Sequence, residues 1–301
     1  MSARAPLLVA AALAAGGCAQ VRQLPGGNLV ADAAERNARQ VGGNLVRGAA
    51  TGELSKTATF DMQQEHHLGK TVAASVITRL GGRALPPEHA ASQYVRRVGT
   101  IVALAAAELR DEGSRPYPLK GYRFIPVESA AVNAVGAPGG FVAVTTGLLR
   151  AARSEDELAA VLAHEVSHVQ LGHTMQPVEA ARRQERLTGV LLAGTSDVVH
   201  AFFGKVVTAG TDFVLDKGFG KANELGADAL AVRILAGAGY DPGALAAFLG
   251  RLEGPGAKGG FFTRHPPPRE RIAALAGVAP ASTPPPVRVT RLSRALESLR
   301  E

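Results

Sequence analysis

Residues 164–168 read His-Glu-Val-Ser-His, two histidines four positions apart with a glutamate after the first. On a helix, His164 and His168 lie one turn apart on the same face, so both imidazoles can bind one metal ion. Glu165 is rotated by about 100° from His164, which brings its carboxylate near a water on that ion without making it a ligand. The stretch therefore predicts a helix that binds zinc and carries a proton acceptor beside it.

The residues before this stretch support a helix. Ser154-Glu155-Asp156-Glu157 matches the capping-box pattern at a helix N-terminus. The helix is expected to run to about Gly172, with Leu158, Val161, Leu162, Val166 and Val169 on its buried side. A capped, amphipathic helix is the context that a shared zinc ion requires, and it favours that interpretation over two unrelated structural histidines.

A catalytic zinc site needs a third protein ligand. In one common arrangement, a glycine lies three residues after the second histidine of the motif, here His168, and a third histidine lies six residues after it. Those positions hold Thr174 and Leu171, so that arrangement is excluded.

The other common arrangement takes a glutamate from a downstream helix. Glu224 is such a residue, and Asp228 one turn later can hydrogen-bond the far nitrogen of a zinc-bound histidine. Spacing alone does not decide the ligand, and Glu179 and Glu185 remain alternatives.

The wider pattern predicts a mainly α-helical chain with one small β-sheet, the α+β class. Helical periodicity and strand-like runs place the elements between these residues. The helices are expected at Phe60–Leu80, Pro86–Leu109 and Ala222–Ala236, and the strands at Tyr122–Val127 and Phe141–Thr145. We divide the chain into residues 1–17, 18–58, 59–278 and 279–301: a signal peptide, a tether, the main domain, and a Pro-rich linker with a tail helix.

The N-terminus predicts export and lipidation. Arg4 and the short apolar run Pro6–Ala15 match a signal peptide, and Ala15-Gly16-Gly17-Cys18 resembles a bacterial lipobox. Cys18, the only cysteine, would then be acylated and hold the protein to a membrane. Ala19 favours the outer membrane, since an aspartate there marks inner-membrane retention. The alternative is an ordinary cleaved signal with an incidental cysteine.

Composition excludes several classes of protein. The formal net charge is +7, but the basic residues are scattered, aromatic residues make up 5% and tryptophan is absent. Nucleic-acid binding is therefore not expected. No run of about 18 apolar residues is present, which excludes a polytopic membrane protein.

Taken in order, these pieces resemble the HtpX/CAAX-prenyl-protease type of zinc metallopeptidases, metallopeptidase family 48, in its soluble lipoprotein-anchored branch. The resemblance covers roughly 61–277. It rests on the segments Glu65–Gly69, Asn133–Val144, Gly147–Leu149, His164–His173, Glu224–Asp228 and His265–Ile272, which follow one another as in that family.

The resemblance implies a zincin-like fold of the gluzincin type with one Zn²⁺ per chain. It implies that His164, His168 and Glu224 bind the zinc and that Glu165 is the general base. Asp228 would support the ligands. His265 would lie near the cleft, where it would steady the transition state or gate the metal.

The implied function is a zinc endopeptidase that hydrolyses unfolded or misassembled cell-envelope proteins. Phe141–Thr145 is expected to bind substrate as an added strand, with Gly140, Phe141, Val142 and Ala143 in contact with it. The expected location is the periplasmic face of the envelope. Outer-membrane assembly machinery or other envelope proteases are possible partners.

Two alternatives remain open at this point. One is a non-catalytic zinc lipoprotein that acts as a chaperone or assembly factor, and the other is a basic adaptor for anionic lipid or peptidoglycan. Within the enzyme hypothesis, Leu187–Gly220 is either a mobile lid or an ordinary core helix. His200 or His265 is a candidate cap on the zinc in a latent state.

Overall fold

The computed structural model describes residues 60–187, 196–252, 265, 268–278 and 281–299, without the side chains of 183–187 and 196–203. The helices are α1 (Met62–Arg79), α2 (Ala90–Glu108), α3 (Thr146–Ala151), α4 (Glu155–Gln170), α5 (Gln176–Leu187), α6 (Ser196–Asp212), α7 (Lys221–Gly237), α8 (Ala244–Leu252), α9 (Pro268–Ala274) and α10 (Pro286–Glu297). The strands are β1 (Arg123–Val127), β2 (Ala134–Ala137) and β3 (Phe141–Thr145). A mainly helical fold with one small sheet confirms the predicted fold class.

The sheet has the order β1-β3-β2, with β3 in the middle. β1 runs parallel to β3, with Arg123 opposite Phe141. β2 runs antiparallel to β3, with Gly136 opposite Val142. The turn Pro138–Gly140 joins β2 to β3, so the segment Asn133–Val144 contains parts of two strands.

This pairing contradicts the predicted added strand at Phe141–Thr145. A strand with neighbours on both sides has no free backbone edge to offer to a substrate. Gly140, Phe141, Val142 and Ala143 are buried, but so are all residues of β2, so the strand pairing and not the burial decides against β3. The edge strand of the described sheet that lies against α4 is β2 instead.

Hydrophobic cores lie on both faces of the sheet because successive strand residues point to opposite sides. Val142 and Val144 face a core built mainly from α2, α4, α7, α8 and α10. Phe141 and Ala143 face a second core that contains residues of α1 and of the segment after α6. The sheet therefore holds two helical layers in fixed positions relative to α4.

Helix α4 is the centre of the first layer. Ser154 caps it as predicted, since its Oγ accepts a hydrogen bond of 3.3 Å from the Glu157 N–H. All of its residues are buried, and it packs chiefly against α7 and α2. This packing brings the histidines of α4 to the first turn of α7.

The C-terminal helix α10 belongs to the same body. It runs from Pro286 to Glu297, within the predicted linker and tail 279–301. Leu292 and Ala295 are buried in the first core, where α10 packs against α2 and α4. The predicted tail helix therefore lies on the main domain.

The signal peptide, Cys18 and the tether to residue 58 lie outside the described residues. None of the described helices combines the length and the apolar character that a membrane crossing needs.

Candidate metal centre

Four side chains converge in the interior: His164, His168, Glu224 and His265. One potential ligand atom from each lies within 4.8 Å of all the others, and all four residues are buried. The Nε2 atoms of His164 and His168 are 3.0 Å apart. Each of them is 3.5 Å from a carboxylate oxygen of Glu224. His265 completes the group, with its Nδ1 atom 2.6 Å from Oε2 of Glu224.

Two helices position the first three of these residues. His164 and His168 are one turn apart on α4, as their spacing requires. Glu224 is in the first turn of α7, where the helix dipole favours a negative charge. The geometry therefore depends on the packing of α4 against α7.

A buried ion pair supports His164 from behind. Asp228, one turn after Glu224, has its Oδ1 atom 2.9 Å from Nδ1 of His164. Arg271 of α9 donates to both oxygens of Asp228, over 2.8 and 2.6 Å. With Nδ1 directed at Asp228, the Nε2 lone pair of His164 is left to face the other ligand atoms.

His168 is fixed by different neighbours. Its Nδ1 atom lies 2.9 Å from Nδ1 of His173, which follows α4 in the chain. The ring of Phe219 stacks on His168 with centroids 4.0 Å apart. Both imidazoles therefore have their Nε2 atoms pointed at one spot by contacts to the rest of the ring.

Opposing influences set the protonation of the two histidines. Burial and the charge of Arg271 act to lower the pKa of His164, but hydrogen bonds to Asp228 and Glu224 outweigh them and raise it to about 9. Burial, reinforced by the charge of His164, holds the pKa of His168 well below its usual value. The neighbouring carboxylates thus favour the charged form of His164, whereas burial favours the neutral form of His168.

Both carboxylates stay ionised at neutral pH. Burial acts to raise their pKa values, but hydrogen bonds from His164 and His265 lower the pKa of Glu224 far below its usual range. Hydrogen bonds from Arg271 and His164 likewise lower the pKa of Asp228 to about 2. Glu224 is thus in the state that metal binding requires.

The cluster fits a zinc ion. Oε1 of Glu224 is buried and has no hydrogen-bond partner among the described residues. A buried carboxylate oxygen without a partner lowers the stability of the fold, and a bound cation would remove that cost. Imidazole nitrogens and a carboxylate oxygen are the donors that zinc takes in catalytic sites. Of the alternative third ligands, Glu179 is paired with Arg115 at 2.8 Å, and the side chain of Glu185 lies outside the described part.

Glu165 points toward the sheet. Its Oε2 atom accepts a hydrogen bond of 2.6 Å from the backbone N–H of Gly136 in β2. The residue is 1% exposed, so its carboxylate lies in the interior, on the helix that carries the two histidines. A buried carboxylate next to a metal site can accept and return a proton.

A segment after α6 closes the site. The π-helical turn Phe213–Lys217 contacts β2, and Phe219 follows it between Gly218 and Gly220, whose φ angles are +69° and +75°. We call residues 213–220 the covering segment. Val214, Leu215 and Phe219 are buried in the second core, and the ring of Phe219 lies on that of His168, so the covering segment packs against the cluster.

Sequence reasoning brought together most of this site but missed two of its members. Arg271 was part of a motif with no role assigned, because nothing in the sequence pairs it with Asp228, 43 positions away. Gly136 carries no side-chain signal at all. The side chain of His200, a candidate cap, lies outside the described part.

Comparison with known proteins gives the family. Peptidase family M48 matches residues 92–279, more than half of the chain. The beta-barrel assembly-enhancing proteases of Yersinia pestis and Escherichia coli (strain K12) are 28% and 26% identical over 206 and 203 residues. Each alignment covers 66% of this chain but 39% of the relative.

A eukaryotic relative shows the same relationship. The mitochondrial metalloendopeptidase OMA1 of Schizosaccharomyces pombe is 27% identical over 215 residues, which are 70% of this chain and 60% of that protein. The chain thus spans less than two thirds of the length of these relatives. The matched region contains the whole cluster of potential ligands, and the chain belongs to peptidase family M48.

Proposed function

We propose that this protein is a zinc-dependent endopeptidase that hydrolyses unfolded or misassembled proteins of the cell envelope. The observation that carries the proposal is the convergence of His164, His168 and Glu224, with the buried carboxylate of Glu165 on the same helix as the two histidines. Membership of peptidase family M48 supports the same reaction class.

The chain's own residues have distinct tasks in this reaction. His164, His168 and Glu224 hold the ion, while Asp228 and Arg271 keep His164 in one tautomer. Zinc, when bound, supplies a Lewis acid that polarises the scissile carbonyl and acidifies the attacking water. Glu165 accepts the proton of that water and later delivers it to the leaving amine.

We place the substrate along the free edge of β2. In an antiparallel pair, alternate residues direct their N–H and C=O groups away from the neighbouring strand. Ala134 and Gly136 are the residues of β2 that do so, since Gly136 donates to Glu165 on that side. An extended polypeptide can pair with these groups, which demands an unfolded chain and imposes little sequence preference.

We assign His265 to gating of the metal. Its Nδ1 atom is already 2.6 Å from Glu224, so it can occupy the coordination position that a water needs. The covering segment encloses the same place, with Phe219 stacked on His168. Together they describe a latent enzyme that opens when substrate arrives.

The location in the envelope rests on the N-terminus. The predicted signal peptide 1–17 and the predicted lipidation at Cys18 support a position on the periplasmic face, at the outer membrane. The name of the relatives, beta-barrel assembly-enhancing protease, supports β-barrel proteins that fail to assemble as one substrate class. Assembly machinery and other envelope proteases are the partners that this location favours.

One observation favours a second function. Four potential ligands, with His265 as the fourth, match the closed coordination of a structural zinc ion. A lipoprotein with such a site would act as a chaperone or assembly factor without cleaving its clients.

Cleavage of casein separates the two functions. The zinc-loaded chain should degrade β-casein, and Glu165→Gln should keep its zinc but cleave about 10²–10⁴-fold more slowly, because the proton acceptor is lost. Wild-type turnover in Glu165→Gln would contradict the role of the base. His265→Ala should cleave faster if His265 is a gate and more slowly if it steadies the transition state. Absence of cleavage in both the wild type and His265→Ala would favour the chaperone.

A further inference from the structure

The general base and the substrate edge share one hydrogen bond. The N–H of Gly136 points away from β3 and donates to Oε2 of Glu165 over 2.6 Å. Gly136 lies on the only long side of β2 that has no strand next to it within the described sheet. The same backbone proton is therefore the one that an added strand would use.

Glycine is what permits this close approach. A Cβ atom built at position 136 would lie 3.0 Å from the backbone oxygen of Glu165 and 3.2 Å from its Oε2 atom. Both distances are shorter than ordinary van der Waals contact. Any larger residue would push β2 away from α4 and lengthen the hydrogen bond to the base.

We propose that Glu165 occupies the Gly136 N–H in the resting site and that an incoming substrate strand takes this donor over. One N–H donates one strong hydrogen bond, so the substrate carbonyl and the carboxylate compete for it. When the substrate carbonyl accepts the Gly136 N–H instead, the carboxylate of Glu165 can move toward the attacking water. The exchange moves no proton and breaks no covalent bond, and it ties the position of the base to the presence of substrate.

This inference rests on the proposed function, because it needs a substrate strand on β2. It adds that Gly136 is a positioning residue for the base and that the base itself disfavours binding. Removing the carboxylate should therefore strengthen substrate binding while it abolishes cleavage.

The contact can be tested without metal or turnover. The sequence has three Val-Gly steps, at 41–42, 98–99 and 135–136, so ¹³C′-valine with ¹⁵N-glycine labelling selects three amide signals. The Gly136 amide proton should be shifted downfield in the wild type and move upfield in Glu165→Ala, while Gly42 and Gly99 serve as internal references. Substitution Gly136→Ala assigns the signal. An unchanged Gly136 signal in Glu165→Ala would overturn the proposal.

The competition is tested by binding to two inactive variants. Fluorescein-labelled β-casein is titrated by anisotropy against zinc-loaded Glu165→Ala, which has no acceptor, and Glu165→Gln, which keeps one. The dissociation constant should be about 3- to 10-fold lower for Glu165→Ala, the size expected for one hydrogen bond. Equal or weaker binding to Glu165→Ala would overturn the competition.

A matched control tests whether the cavity left by Glu165→Ala, rather than the lost hydrogen bond, changes binding. Val169 also lies beneath Gly136, with Cγ2 3.6 Å from the position of a Cβ atom there, and its side chain cannot accept a hydrogen bond. Glu165→Gln/Val169→Ala should therefore bind β-casein as Glu165→Gln does, and tighter binding to it would assign the effect to space and overturn the competition. Because wild-type cleavage of β-casein is measured separately, failure of the endopeptidase activity and failure of this exchange give different results.

Discussion

The carboxylates at the two ends of helix α4 have different kinds of partner. At its N-terminal end, three consecutive carboxylates each meet an arginine from a C-terminal helix: Glu155 with Arg291, Asp156 with Arg288 and Glu157 with Arg251. At the metal end, Glu224 faces His164 and His168 and still has an oxygen without a hydrogen-bond partner among the described residues.

This difference indicates which end has its carboxylates paired with cations of the chain and which end can still bind a cation. The N-terminal carboxylates are buried as well, and Asp156 also has one oxygen without a hydrogen-bond partner among the described residues, but each of the three is paired with an arginine of the chain and so contributes to stability. The carboxylate of Glu224 lies in the interior near His164 and Arg271, yet its Oε1 atom has no hydrogen-bond partner among the described residues, a cost that a bound cation would relieve. The first end holds α8 and α10 on the domain, and the second end is the one to which we assign the proposed chemistry.

The strongest test of this difference is the substitution of one glutamate by alanine near each end of α4. Glu224→Ala removes a ligand, so the chain should lose its zinc and its β-casein cleavage, a fall in rate of about 10³-fold or more. Elemental analysis of the purified protein and a cleavage assay measure both effects.

Glu155→Ala is the matched control. Its carboxylate accepts hydrogen bonds from Tyr94, Tyr240 and Arg291, so the substitution should lower the free energy of unfolding by about 1–3 kcal/mol. Zinc content should stay that of the wild type. Loss of zinc in Glu155→Ala, or its retention in Glu224→Ala, would show that the two ends are not distinct.

The second prediction concerns the support of His164. Asp228→Asn keeps the shape of the side chain but removes the charge that orients Nδ1 of His164 and pairs with Arg271. Zinc affinity should fall about 10- to 100-fold, the usual effect of losing such a partner. Competition with a zinc chelator measures it, and an unchanged affinity would remove Asp228 from the metal centre.

A third prediction concerns the cover over the metal end. Arg79 of α1 binds Asp212 at 2.5 Å and Asp216 at 2.6 Å, on either side of the start of the covering segment. All three side chains are exposed, so the pairs contribute at most about 1 kcal/mol. Arg79→Ala should therefore raise the rate of β-casein cleavage by at most about five-fold.

Arg83→Ala is the control for this effect. Arg83 is as exposed as Arg79, but its partner is Glu128, which is outside the covering segment. It should leave the cleavage rate unchanged. A similar rise in both variants would mean that the ion pairs of Arg79 do not hold the cover.

The smallest expected effect is a pH dependence at the N-terminal end. Burial acts to raise the pKa of Glu155, but hydrogen bonds from Arg291 and Tyr94 outweigh it and lower the pKa below its usual value. A lowered carboxyl pKa adds stability that is complete above about pH 5 and is lost as the pH falls below about 4.

Removing Arg291 should reduce this contribution. Because its side chain is half exposed, Arg291→Ala should cost at most about 1 kcal/mol at pH 7, and the difference from the wild type should shrink toward pH 3. Urea unfolding of the metal-free chain measures both curves. A difference that grows toward acid pH would contradict the assigned ion pair.

The sequence predicted the parts of the molecule in which local pattern and structure coincide. Ser154 caps α4 where the pattern places it, and the two histidines face the same way because helical spacing demands it. Strand β3 also has the expected bounds, Phe141–Thr145. These features depend on a few neighbouring residues.

Other features depend on contacts between distant residues and were not predictable. Nothing within Phe141–Thr145 says that β3 is the middle strand, since strand order depends on how β1 and β2 pair with it. The ion pair between Arg271 and Asp228 likewise has no signal in the sequence, because the two residues are 43 positions apart. The contact of Gly136 with Glu165 is made by a backbone N–H, which any residue but proline carries, so no side-chain pattern announces it.

The X-ray absorption spectrum of the purified chain at the zinc edge shows directly whether His164, His168 and Glu224 bind zinc. We expect one zinc ion per chain with nitrogen and oxygen neighbours at about 2.0–2.2 Å, imidazole scattering, and no sulfur neighbour at about 2.3 Å. We also expect the imidazole signal to disappear with the zinc in Glu224→Ala. A chain that retains no zinc, or one whose spectrum is unchanged by Glu224→Ala, would contradict this assignment of the ligands.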